Sequence, residues 1–179
     1  MTTTAVHRRA AYFLCALAMT GCASSQAKNF EDSTMSAPTI WQLIENLTHQ
    51  MPLTPEKVAA TIGTPLQPHK QTPQLTQYVG AGVPLAGNVR IENSSLALGP
   101  QGEFDDKSGL SLELGGACVT LDQVREHYGG LKVTQTPRGR SDKETTVHVS
   151  RQPQGSLSFA FRAGNPDCLY RVGIRPPQS

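Results

Sequence analysis

The chain has 179 residues, with 16 Lys and Arg against 14 Asp and Glu, a formal net charge of +2. Both surplus charges, Arg8 and Arg9, lie in residues 1–21, which hold no acid; beyond them 14 basic residues balance 14 acidic ones. That balance argues against a nucleic-acid-binding body, which needs excess cations to displace counterions from phosphates, and the 17% charged content suits a loop-rich secreted protein better than a cytosolic enzyme.

Met1–Arg9 is a short basic start, and Ala10–Met19 is an uncharged apolar run. A membrane-spanning helix needs about 20 residues, so this run is too short to cross and has the length of a signal-peptide core. It leads into Met19-Thr20-Gly21-Cys22, which resembles a bacterial lipobox, with Met19 where that pattern prefers Leu. The resemblance implies cleavage between Gly21 and Cys22 and diacylation of the Cys22 sulfur. Two or three chains at ~0.8 kcal/mol per buried CH₂ make a stable anchor. Ala23 follows in place of Asp, which by the family's sorting pattern implies the outer membrane, facing the periplasm. Residues 22–38 then read as the lipidated cysteine and a small, polar, flexible tether.

Thr39–His49 has Ile40, Trp41, Leu43, Ile44 and Leu47 at helical spacing, and Pro52 stops it. A second helix begins at Thr54 as N-cap with Pro55 at the first helical position; Gly63 closes it and Pro65 prevents its resumption. Residues 64–87, rich in Pro, Gln, Thr and Gly, form a long connection with one strand near Leu75–Val79. Strands are expected at Asn88–Glu92, Ser95–Leu98 and Gly109–Leu114.

Val119–Gly129 then aligns without gaps on Leu53–Gly63, with Thr54/Thr120, Val58/Val124 and Gly63/Gly129 identical. Four more strands are expected: Leu131–Thr134; Thr145–Ser150 with Val147 and Val149 inward; Ser156–Arg162 with Leu157, Phe159 and Phe161 inward; and Leu169–Ile174 with Tyr170, Val172 and Ile174 inward. Period-two alternation marks antiparallel sheet with one wet face. The fold class is α+β, helices packed on antiparallel sheet. Two tandem helix-plus-meander units, 39–116 and 117–179, are one reading; a single continuous domain is the other.

Leu53-Thr-Pro-Glu-Lys-Val-Ala-Ala-Thr-Ile-Gly-Thr-Pro65 after a lipobox resembles the small SmpA/OmlA-type outer-membrane lipoproteins, on Thr54, Val58, Ile62, Gly63 and Pro65. The wider fold group includes the β-lactamase-inhibitor protein, with tandem helix-plus-sheet units and a concave sheet face that grips an enzyme. The likeness covers about 13 residues and the order of elements. It implies a protein-binding module without naming a partner.

Cys15 leaves with the leader and Cys22 takes the lipid, so Cys118 and Cys168 remain in an oxidising compartment. A disulfide is the expected pairing, with two free thiols or half a metal site as alternatives. Catalytic chemistry finds no support. His49, His69 and His127 read as helix-surface or loop residues, and no nucleophile context such as Gly-x-Ser-x-Gly occurs. Asp105-Asp106 lacks the spacing of a calcium loop, and Gly80–Gly87 lacks the lysine of a phosphate loop. No catalytic residue, metal or small-molecule cofactor is expected.

One constellation stands out. The wet face of the last strands is expected to carry His148, Ser150, Ser158, Arg162, Arg171 and Arg175, near loop residues Arg138, Arg140 and Lys143. It is either a solvated sheet face or an electropositive patch for an acidic partner, since Arg forks bind carboxylates bidentately. The functional expectation is a non-enzymatic periplasmic lipoprotein that binds a protein through His148, Arg162, Arg171 and Arg175, as an inhibitor or immunity protein does. The alternative is a structural accessory in outer-membrane or envelope assembly. Its partners are the membrane, through the lipid, and a protein, with no nucleic acid.

Overall fold

The computed structural model describes residues 37–177. The expected leader, cleavage site Gly21–Cys22, lipidation of Cys22 and most of the expected tether lie outside the described residues. Among the described residues, no helix is long and apolar enough to cross a membrane.

The chain runs α1 (Ile40–His49), α2 (Pro55–Ile62), β1 (Leu66–Gln71), β2 (Thr76–Gly80), β3 (Val83–Pro84), β4 (Val89–Leu98), β5 (Gly109–Gly116), α3 (Leu121–Tyr128), β6 (Lys132–Gln135), β7 (Thr145–Gln152), β8 (Gly155–Arg162) and β9 (Asn165–Arg175). It is a mixed α+β fold. Each helix starts on a threonine whose hydroxyl accepts an amide three residues on: Thr39 from Gln42, Thr54 from Lys57 and Thr120 from Gln123. Thr39 and Thr120 complete capping boxes, with Gln42 and Gln123 reaching back. Gly63 ends α2 at φ +83°, a left-handed conformation that a side chain would strain.

One antiparallel sheet holds the strands in the order β1-β2-β4-β5-β9-β8-β7-β6, with β3 beside β4. The strands of residues 39–116 and of 117–179 thus occupy opposite halves and meet where β5 pairs with β9. Buried residues of all three helices, including Leu43, Ile44, Leu47, Val58 and Val124, form one hydrophobic cluster with Leu96, Leu112, Leu157, Phe159, Val172 and Ile174 of one sheet face. Trp41 of α1 stacks on His127 of α3 with ring centroids 4.1 Å apart.

Four sequence expectations change. Asn88–Glu92 and Ser95–Leu98 are a single strand, β4, continuous through an irregularity between Ile91 and Asn93. The connection 64–87 holds three strands, not one. β7 faces the other way: His148 (9% exposed) and Ser150 are buried, while Val147 and Val149 are half-buried on the opposite face. Pairing sets this, since His148 lies opposite Phe159 and Val149 opposite Ser158. Polar residues are accommodated there because α3 ends above them, and the Ser150 hydroxyl donates to the Tyr128 carbonyl. Tyr170 is not inward either. A register shift in the β8–β9 ladder puts Leu169 opposite Phe161 and turns Tyr170 to the other face.

Cys118 and Cys168 form a disulfide, with Cα atoms 5.0 Å apart. It sits where the segment before α3 meets β9, beside the Thr120–Cys168 bridge and the Leu169 amide donating to the Val119 carbonyl.

Candidate functional site

The face of the sheet turned away from the hydrophobic cluster carries mostly small side chains. Val79, Ser95, Ser111, Gly173, Ser158 and Val149 form one row across six strands. Gly173 is required by closeness: a Cβ there would meet the Ser158 hydroxyl, which donates to the Gly173 carbonyl. On the second half of the sheet this face opens into a groove of about 590 Å³, lined by Val147, Val149, Arg151, Ser156, Ser158, Arg171 and Arg175 among others.

Strand pairing places the three arginines around a low floor. Arg151 and Arg175 lie on either side of Ser156, two strand spacings apart, or about 10 Å. Arg171 and Arg175 stand on the same face of β9 with Gly173 between them, about 13 Å apart along the strand. Among the described residues no carboxylate lines the groove. Among the described residues the ion pairs are Arg90–Glu92 and Arg125–Asp122, neither of which involves a groove arginine. Glu113 pairs with Arg171 in the β5–β9 ladder, but its carboxylate accepts the Tyr170 hydroxyl at 2.6 Å.

Of the four residues expected to bind a partner, the structure brings Arg171 and Arg175 together. Arg162 stacks its guanidinium 3.5 Å over the Tyr170 ring and lines a separate cavity of about 230 Å³ beside the disulfide. Its Nε is buried without a hydrogen-bond partner. His148 does not belong to this face at all. Its ring meets Phe161 edge-on at 5.7 Å, and burial, with the Arg125 cation second, holds its pKa below the ordinary value. The loop arginines are not part of the groove: the backbone amides of Arg138 and Arg140 both donate to the Glu144 carboxylate, and neither residue lines it. Arg151, Val147 and Val149 were not anticipated as site residues. A signal was present, because Arg151 shares its parity with both valines, and an inward Val147-Val149 would have buried a guanidinium.

The depressed His148 pKa has a consequence for stability. The unfolded chain binds this proton more readily than the folded one, so the histidine's contribution is complete above pH ~6.5 and declines as pH falls below it. Urea titrations at a series of pH values are expected to show wild type losing stability on acidification through that range. His148→Gln should flatten this part of the profile; an unchanged slope would remove His148 as the cause.

Among the described residues no group of three or more His, Cys, Asp or Glu is placed to hold a metal. Asp105 is tied into its own turn, accepting the Ser108 hydroxyl at 2.8 Å and the Lys107 amide at 3.0 Å. The groove presents guanidinium and hydroxyl donors over a floor of small residues and two valines.

No family model matches the sequence. No curated protein matches it either. Among solved structures, the chain is similar to a DUF4309 family protein, YjgB, from Bacillus subtilis, at 13% identity and a TM-score of 0.46, over 76% of this chain and 97% of that one.

Proposed function

We propose that the protein is a non-enzymatic binding module, lipid-anchored at Cys22 in the outer membrane and facing the periplasm, that holds another protein against the open face of its sheet. The observation that carries the reading is the groove itself, small residues on an antiparallel sheet beside arginines that make no ion pair among the described residues. An inhibitor or immunity protein, neutralising an enzyme or toxin, is the form of binding that suits such a face. Two tandem helix-on-sheet units fit this reading. The two sets of strands meet β5 to β9 in mirrored order, and the second helix of the first unit and the helix of the second share a threonine cap and a glycine stop. Duplication would build a sheet wide enough to receive a partner on one face while the helices cover the other.

Anchoring and binding are tested separately. Cys22→Ser is expected to move the chain from the membrane to the soluble fraction; unchanged fractionation, with no acyl label on wild type, would refute the anchor. The tagged full-length chain, captured from detergent-solubilised envelope, is expected to bring down one protein in near-stoichiometric amount. Recovery of the β-barrel insertion machinery would favour the assembly role, and recovery of no protein would contradict the binding reading.

A further inference from the structure

We propose that the groove takes an acidic, extended segment of the partner protein, with one carboxylate on Arg171 and a second shared by Arg151 and Arg175. This rests on the protein-binding reading above and adds the chemistry of the occupant. Three arginines line a groove that has no carboxylate among the described residues, in a body whose charges otherwise balance. The positive potential is therefore local. A nucleic acid or other polyanion would need a broad surplus of cations; a short acidic segment does not. The spacing sets a pattern. About 13 Å along β9 separates Arg171 from Arg175, the distance between same-side residues four apart in an extended chain. The residue midway between the two acids would lie over Gly173 and Ser158, which leave room for it, and the Val147 and Val149 side chains would flank it. The hydroxyls of Ser156 and Ser158 supply further donors to the segment.

The test uses the full-length chain in detergent and a fluorescein-labelled ten-residue peptide of serine and threonine carrying two glutamates four residues apart, read by anisotropy. Wild type is expected to bind it, and Arg171→Gln with Arg175→Gln to weaken binding about tenfold. Arg138→Gln with Arg140→Gln, on the exposed loop, should change it less than about twofold. Equal losses in the two pairs, or no loss in the groove pair, would overturn the proposal. So would displacement of the peptide by inorganic phosphate or heparin at equal charge, since the site would then select charge alone. If wild type ignores the peptide but still captures a protein through this face, the acidic occupant fails and the binding reading stands. If capture fails as well, both fall.

Discussion

Truncation of Phe159 to alanine is expected to lower the unfolding free energy by about 4 kcal/mol. The side chain is fully buried in β8, between His148 and Val172 in the ladder, with the Tyr128 ring 5.1 Å away. It therefore touches α3 and both neighbouring strands. Its removal leaves a cavity that rigid sheet neighbours fill poorly, so the loss exceeds the transfer energy of the ring alone. Val133→Ala makes the contrast, because Val133 is 54% exposed on the edge strand β6 and should cost less than about 0.5 kcal/mol. Urea unfolding of the two variants measures the difference; equal midpoints would mean that β8 is not at the centre of the core.

The second large effect belongs to the disulfide. Cys118 and Cys168 are 50 residues apart, and a closed loop of that size restricts the unfolded chain by an amount worth ~4 kcal/mol. The bond spans α3, β6, β7 and β8, fastening the segment before α3 to the start of β9. Cys118→Ala with Cys168→Ala is expected to lower Tm by about 10 °C. Reduction of wild type with dithiothreitol should reproduce the shift, since Cys118 is exposed to solvent. A melt unmoved by either treatment would show that backbone pairing alone holds this junction.

Local chemistry made the helices readable. Three threonine caps and the stop at Gly63 act within four residues, so spacing alone reveals them. Strands were readable where alternation was strict, as in Leu157-Ser158-Phe159 and Val172-Gly173-Ile174. They were unreadable in β1, Leu66-Gln-Pro-His-Lys-Gln71, an edge strand exposed nearly throughout, where pairing and not burial maintains the extended chain. The facing of β7 depended on a partner that the sequence does not display. Two valines favour the inside on hydrophobicity alone, but the ladder with β8 and the carbonyl at the end of α3 put His148 and Ser150 there instead. Tyr170 was misplaced by a single extra residue, since an irregularity resets parity within a strand. Two of the three groove arginines, and Ser158, are therefore legible in the sequence. Arg171 and Arg175 follow the parity of β9 beyond that irregularity, whereas Arg151 emerges only once β7 is turned over.

If the protein holds a partner as proposed, the open face of the sheet is where that partner sits. Ser158 is the most informative position there, in the row of small residues between Gly173 and Val149 and on the face turned away from the hydrophobic cluster. Ser158→Trp fills the groove floor, while Glu126→Trp on the exposed side of α3 serves as the matched control. With far-ultraviolet circular dichroism confirming both folds, the measurement is the amount of partner protein recovered with each tagged chain from the same envelope extract. Ser158→Trp is expected to lose the partner and Glu126→Trp to retain it; full recovery with Ser158→Trp, or loss with Glu126→Trp alone, would show that the partner is held elsewhere.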